Sequence, residues 1–181
     1  ISPLREIART PTIMDKKLHA FQARPAVQYM LKEPNGLRGP GNAEFFGDNR
    51  PFGAMLSFAV ANVSDSAKVK MEIFDDDGEL QQTRTLLAQN GVNRVYWNLR
   101  GKPFDSIGSG NRRSRSGPFV LPGQYLVKFG LGDVSDSIQV VVQPDPRKEV
   151  SRESMLAKAA ALDRVRTHYK TLAAMHKLSL I

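Results

Sequence analysis

The chain of 181 residues has no cysteine, a single tryptophan and only three histidines. The absence of cysteine excludes disulfide bonds, thiol catalysis and thiolate metal ligands, although it does not identify the compartment. No apolar run approaches the roughly 20 residues that a membrane span requires. No glycine-rich phosphate loop and no serine nucleophile motif occurs, and the histidines lack metal-ligand spacing. We therefore predict that this chain binds no cofactor or metal and is not an enzyme by itself.

The formal net charge of +8 is unevenly distributed. Residues 1–99 carry 12 basic and 11 acidic side chains, whereas residues 100–115 carry five basic and one acidic. Residues 147–181 add eight basic and three acidic side chains. The excess thus belongs to one loop and one C-terminal segment, without the aromatic or motif support that nucleic-acid-binding surfaces usually show. We expect no nucleic-acid partner.

The middle of the chain alternates apolar and polar residues with a period of two, which predicts half-buried strands. The pattern is clear in "GAMLSFAV" (53–60), "AKVKMEIF" (67–74) and "GQYLVKFG" (123–130). The turns "DDDG" (75–78) and "GLGD" (130–133) favour hairpins. About seven strands without intervening helices predict an antiparallel β-sandwich over residues 24–146. Its predicted core includes Phe58, Ile73, Val95, Trp97, Leu99, Tyr125, Val127 and Phe129.

Both ends of the chain lie outside this pattern. We predict that residues 1–23 are an extended or partly helical linker and that a short strand follows at 24–31. The prolines of "PDPR" (144–147) end the last strand, and 147–181 form an amphipathic helix with Ser151 as N-cap. Its predicted apolar stripe is Met155, Leu162, Val165, Tyr169 and Leu172, and its polar face carries Lys158, Arg164, Arg166 and Lys170. Packing of this stripe on protein is favoured over binding to an acidic surface.

Trp97 lies in "NGVNRVYWNLRG" (90–101), between Val95 and Leu99 on one side of the predicted strand. Its ring could stack on a sugar, or it could fill the centre of the sandwich. Burial of an aromatic side chain of this size contributes about 2–3 kcal/mol. The regular alternation favours the core position, and the indole N–H is then expected to find a hydrogen-bond acceptor.

Two polar clusters are further candidates. Asp75, Asp76 and Asp77 are adjacent in a turn, so they cannot flank a glycosidic bond as a carboxylate pair does. They also lack the spacing of a calcium loop, and a hairpin turn is favoured. In the polar loop "GSGNRRSRSG" (108–117), Arg112, Arg113 and Arg115 are candidates for binding an anion or an acidic partner. A solvated loop is the favoured alternative.

The order of motifs resembles the C-terminal region of large bacterial β-propeller proteins described as sortilin-like or sialidase-type (BNR/Asp-box) glycosyl-hydrolase-like. The resemblance rests on "ISPLREI", "LHAFQARPAVQY", "NGVNRVYWNLRG", "SGPFVLPGQYLVKF" and "VVVQPDPR", and is most specific at 91–100, 117–127 and 142–147. The chain departs from the family in Asn98, where aspartate is usual, and in having no Asp-box.

This resemblance implies an Ig/fibronectin-III-like sandwich, similar to the flagellar hook-capping Ig-like domain, that follows a propeller. It implies a non-catalytic accessory or interaction module of a secreted, periplasmic or cell-surface protein, and it transfers no catalytic residue. The chain begins at Ile1, so we expect a processed product or a fragment. The expected partner is protein: its own upstream propeller or another subunit. Alternatively, the module contacts carbohydrate for a glycoside hydrolase whose active site lies in the propeller.

Overall fold

A computed structural model describes residues 2–29, 50–64, 66–103 and 117–178. This part of the chain contains eight strands in two sheets, one of them curled into a half-barrel, with a helix near each end. The mainly β class is therefore confirmed. The elements are α1 (Ser2–Arg9), a 3-10 helix (Pro11–Asp15), β1 (Leu18–Phe21), β2 (Ala26–Val27), β3 (Ala54–Val60), β4 (Lys68–Phe74), β5 (Leu80–Leu87), β6 (Gly91–Trp97), β7 (Gly123–Leu131), β8 (Val134–Gln143) and α2 (Arg152–Leu178).

The strand order is β1-β3-β6 in the smaller sheet and β2-β8-β7-β4-β5 in the larger one. Both predicted hairpins are present, since β4 pairs with β5 and β7 with β8, each antiparallel. The prediction of a purely antiparallel sandwich was wrong at one edge. Within residues 24–29, the described part of the predicted strand 24–31, only β2 is strand, and it pairs parallel to β8. The chain passes from the smaller sheet to the larger one between β1 and β2.

Apolar side chains of both sheets form one common core. Phe58 of β3 contacts Phe129 of β7 with ring centroids 4.9 Å apart. Val69, Met71 and Ile73 of β4, the neighbour of β7 in the larger sheet, are fully buried. Because residues on one face of a strand recur every second position, these contacts show that the period of two placed the inner face correctly.

The first 23 residues, which the sequence suggested were a linker, contain β1 of the smaller sheet. β1 pairs with β3 in the register Leu18–Val60. Ile13 and Phe21 form a second, smaller core with Ala59 on the outer face of β3. As a result β3 is buried on both faces, which its own alternation did not predict.

Helix α2 follows β8 after a short turn and runs for 27 residues, about 40 Å. The Ser151 side chain accepts a hydrogen bond from the backbone N–H of Ser154 at 3.2 Å, as expected of the N-cap. Half-buried residues recur along it at intervals of four and three: Met155, Ala159, Leu162, Arg166, Tyr169, Ala173 and His176. This spacing defines one face of a helix turned towards the rest of the protein.

Candidate functional site

Trp97 is a core residue in this structure. Its side chain has no solvent exposure, and its ring makes an edge contact with Tyr125 at 5.1 Å between centroids. The indole N–H donates to the backbone oxygen of Arg100 at 3.1 Å, and the Tyr125 hydroxyl donates to Leu121 O at 2.7 Å. Both polar atoms of the pair are therefore satisfied inside the protein, and neither ring offers a face to a sugar.

The remaining predicted core residues are buried with one exception. Val95 is only half-buried, although it packs against the core. It belongs to β6, an edge strand of the smaller sheet whose one partner is β3. Seven side chains are at most 5% exposed: Phe58, Ile73, Trp97, Leu99, Tyr125, Val127 and Phe129.

The acidic triplet is placed in the hairpin between β4 and β5. Asp75 accepts hydrogen bonds from the backbone N–H of Glu79 at 2.8 Å and from Gln81 Nε2 at 2.6 Å. Its backbone oxygen accepts from Gly78 N–H, which lies at a φ of +76°. These bonds close the turn and support its structural role. In the described part of the chain no group of three acidic or histidine side chains is arranged to hold a metal ion.

Arg112, Arg113 and Arg115 lie outside the described residues, so their role as an anion site stays a prediction.

The predicted apolar stripe of α2 was wrong in part. Val165 and Leu172 are 53% and 55% exposed. Arg166, assigned to the polar face, lies on the inward face instead and donates to Lys102 O at 3.2 Å. One residue is about 100° around a helix, so Arg166 and its neighbour Val165 face different directions.

A polar cluster that the sequence did not reveal joins the N-terminal segment to the larger sheet. The ring nitrogens of His19 lie 3.4 Å from Glu6 Oε2 and 3.4 Å from Asp136 Oδ2. Asp136 Oδ2 also accepts from the backbone N–H of Ala20 at 2.8 Å. The three side chains come from α1, β1 and β8, so only the tertiary fold brings them together. The cluster links these three elements. Within the described residues, no serine or threonine hydroxyl forms a hydrogen bond with it.

Two grooves run along the first half of α2, one on each side. The acidic groove, about 420 Å³, is lined by Asp75, Asp76, Asp77, Glu79 and Asp163, with Arg152 and Arg166 as its cations. The basic groove, about 630 Å³, lies against residues 118–122 and 144–150. Its charged lining residues are Arg100, Arg147, Lys148, Lys158 and Asp145. Both volumes fall within the roughly 300–1,000 Å³ of ligand sites.

The basic groove has an apolar floor and a fixed guanidinium at its wall. Phe119, Leu121 and Met155 line the floor. The Arg100 guanidinium carbon lies 4.3 Å from the centroid of the Phe119 ring, and its Nη1 donates to Gly117 O at 2.9 Å. An antiparallel bridge between Arg100 and Phe119 holds the two backbones together. The cation–π contact and the bridge position this charge beside apolar surface.

Asp145 is the one acid of the basic groove and is already paired. Arg147 donates to both of its carboxylate oxygens, at 2.9 and 2.8 Å. These hydrogen bonds, together with the charge of Lys148, lower the pKa of Asp145 to about 2. The carboxylate is ionised at neutral pH and already paired with Arg147. It is therefore not a partner for the other cations of the groove.

The outward faces of α2 are rich in apolar residues. Val165, Leu172 and Met175 recur at intervals of seven and three, and each is more than half exposed. We call these three residues the outer stripe. No helix in the described residues has the length and apolar character needed to cross a membrane.

Comparison with known proteins gives no family assignment. The chain matches no protein-family model, and the search of curated proteins found no match.

Proposed function

We propose that this chain is a non-catalytic interaction module, an Ig/fibronectin-III-like sandwich that braces or docks an exported sortilin- or sialidase-like propeller protein. The observation that carries the proposal is the outer stripe of α2. Soluble monomers rarely expose contiguous apolar patches larger than a few hundred Å², and larger patches mark contact sites. On the 27-residue helix α2 the exposed side chains of Val165, Leu172 and Met175 recur along one face, so they are grouped rather than scattered.

The upstream propeller of the same polypeptide is the proposed partner of the outer stripe. Its identity rests on the resemblance of the motif order, and the stripe supplies the contact surface. The two-sheet core supports a scaffold role, because its aromatic rings pack on each other and their polar atoms are bonded internally.

The test is hydrogen–deuterium exchange of α2 in this chain alone and in the full native polypeptide. We expect slower exchange of residues 161–176 in the native polypeptide. Leu172→Asp should abolish this protection, whereas Ala174→Asp, an exposed position on the opposite side of α2, should retain it. A native polypeptide without an upstream propeller, or equal exchange in both contexts, would contradict the proposal.

The alternative is a module that contacts carbohydrate beside a hydrolase active site in the propeller. Isothermal titration with oligosaccharides separates the two. Binding that is lost on Trp97→Ala, with the fold retained, would favour the carbohydrate function. The buried position of Trp97 leads us to expect no such binding.

A further inference from the structure

The two grooves beside α2 differ in the sign of their charge although they share one helix. The basic groove contains four cations and one acid, while the acidic groove contains five acids and two cations. The single acid of the basic groove, Asp145, is held by Arg147. Arg100 and Lys158 have no carboxylate within 4 Å among the described residues. The basic groove therefore has cationic groups available for an external anion.

Arg100 is the best-placed of these groups. It is half-buried, stacked on Phe119 and fixed by its bond to Gly117 O. A guanidinium has five N–H donors, so one bond to a backbone oxygen leaves most of its hydrogen-bonding capacity. Its planar fork matches a carboxylate. A carboxylate bound here would be next to apolar surface, where ionic hydrogen bonds are stronger than in open solvent.

From these features we propose that the basic groove binds an acidic peptide segment of a partner protein. Its carboxylates pair with Arg100 and Lys158, and an adjacent apolar side chain packs on Phe119 and Met155. This inference deepens the proposed interaction function and rests on it.

A peptide fits the groove better than other anions do. The cations come from residue 100, from the 144–150 turn and from the second turn of α2, so they match a chain that carries several carboxylates. A single-headed lipid would pair with one of them. A flat anionic membrane would not reach a concave floor. Pro118, Pro122 and Pro144 line the groove and lack backbone N–H groups, so recognition by added β-pairing is disfavoured there.

The test is fluorescence anisotropy of a labelled peptide of alternating aspartate and leucine, titrated with this chain. Two control peptides, of alternating lysine and leucine and of alternating aspartate and serine, separate charge from apolar contact. We expect binding of the first peptide alone, with an affinity that falls as salt is added.

Matched variants locate the binding site. Lys158→Glu should weaken binding by roughly five-fold or more, since it replaces attraction with repulsion at the groove. Lys170→Glu makes the same charge change at an exposed position on α2 outside both grooves, and it should change the affinity by less than about two-fold. Arg100→Gln should weaken binding about ten-fold, with circular dichroism to verify the fold.

Several results would overturn the proposal. They are the absence of binding by the aspartate–leucine peptide, equal weakening by Lys158→Glu and Lys170→Glu, or binding to phosphatidylglycerol vesicles without peptide binding. Leu172→Asp should leave peptide binding unchanged because the outer stripe is a separate surface. Failure of the groove and failure of the propeller contact are therefore distinguished.

Discussion

In the two sheets, large side chains such as Trp97 and Phe129 have no solvent exposure, whereas on α2 the side chains of Val165, Leu172 and Met175 are 53–60% exposed. The sheets bury their apolar residues against each other in a single core. The helix places a row of half-buried residues against the body and leaves other apolar residues outside. The comparison indicates that the strands provide the buried core, whereas the helix leaves apolar surface exposed, and we propose that binding occurs there.

The same contrast applies to polar groups. In the core, the indole N–H of Trp97 and the hydroxyl of Tyr125 donate to backbone oxygens of the protein itself. Beside α2, the Arg100 guanidinium is fixed but keeps donors for another molecule. Satisfied polar groups fit a scaffold, and an oriented cation without a carboxylate partner in the described residues fits a binding surface.

The largest expected effect is the truncation of Trp97. Trp97→Ala should lower the free energy of unfolding by about 3–5 kcal/mol, because it leaves a large cavity between the sheets. Urea denaturation measures the change. Val92→Ala, on the same strand but 45% exposed, should change stability by less than about 0.5 kcal/mol. Equal effects would remove the distinction between inner and outer faces.

A smaller loss is expected where two backbones approach closely. Gly53 has a φ of +114°, and a Cβ there would overlap the backbone oxygen of Trp97. Gly53→Ala should cost about 2–3 kcal/mol through the unfavourable φ and the overlap. Gly78→Ala has a positive φ but open space around the added atom, so it should cost about 1 kcal/mol. Equal losses of stability in thermal unfolding would show that the close approach of Gly53 to the backbone of Trp97 does not affect stability.

Tyr125 links the core to alkaline stability. Burial raises its pKa, and the charges of Asp75 and Asp76 raise it further. A pKa raised in the folded state contributes stability that is present below the unfolded value of about 10 and is lost as the pH rises above it. Tyr125→Phe should cost about 1 kcal/mol at neutral pH through its lost hydrogen bond. Stability measured at increasing pH should then fall less steeply above pH 10 than in the parent chain, and identical slopes would contradict this assignment.

The smallest effect is expected on the outer stripe. Leu172→Ala should change the free energy of unfolding by less than about 0.5 kcal/mol, because the side chain is mostly exposed and alanine favours helix. Leu56→Ala, at a fully buried position of β3, should cost about 2–5 kcal/mol. A large loss at Leu172 would show that α2 is part of the stability core.

Local patterns predicted β3 to β8, the two hairpins and the long helix, because each depends on residues close together in sequence. The inner face of β4 and the N-cap Ser151 are examples. Tertiary features were not predictable in this way. The parallel pairing of β2, the covering of β3 by Phe21 and the His19 cluster depend on contacts between distant segments. The orientation of α2 was missed in part because two neighbouring apolar stripes had similar spacing, and Ala159 and Arg166, rather than Val165, face the body.

We propose that Trp97 fills the core of the scaffold and that binding occurs at α2. The chain has a single tryptophan, so acrylamide quenching of its fluorescence reports on this position alone. We predict weak quenching in the native protein, strong quenching after unfolding in urea, and no change of the native signal on addition of oligosaccharides. Quenching of the native protein as strong as that in urea, or an oligosaccharide-dependent shift of the emission, would contradict the account.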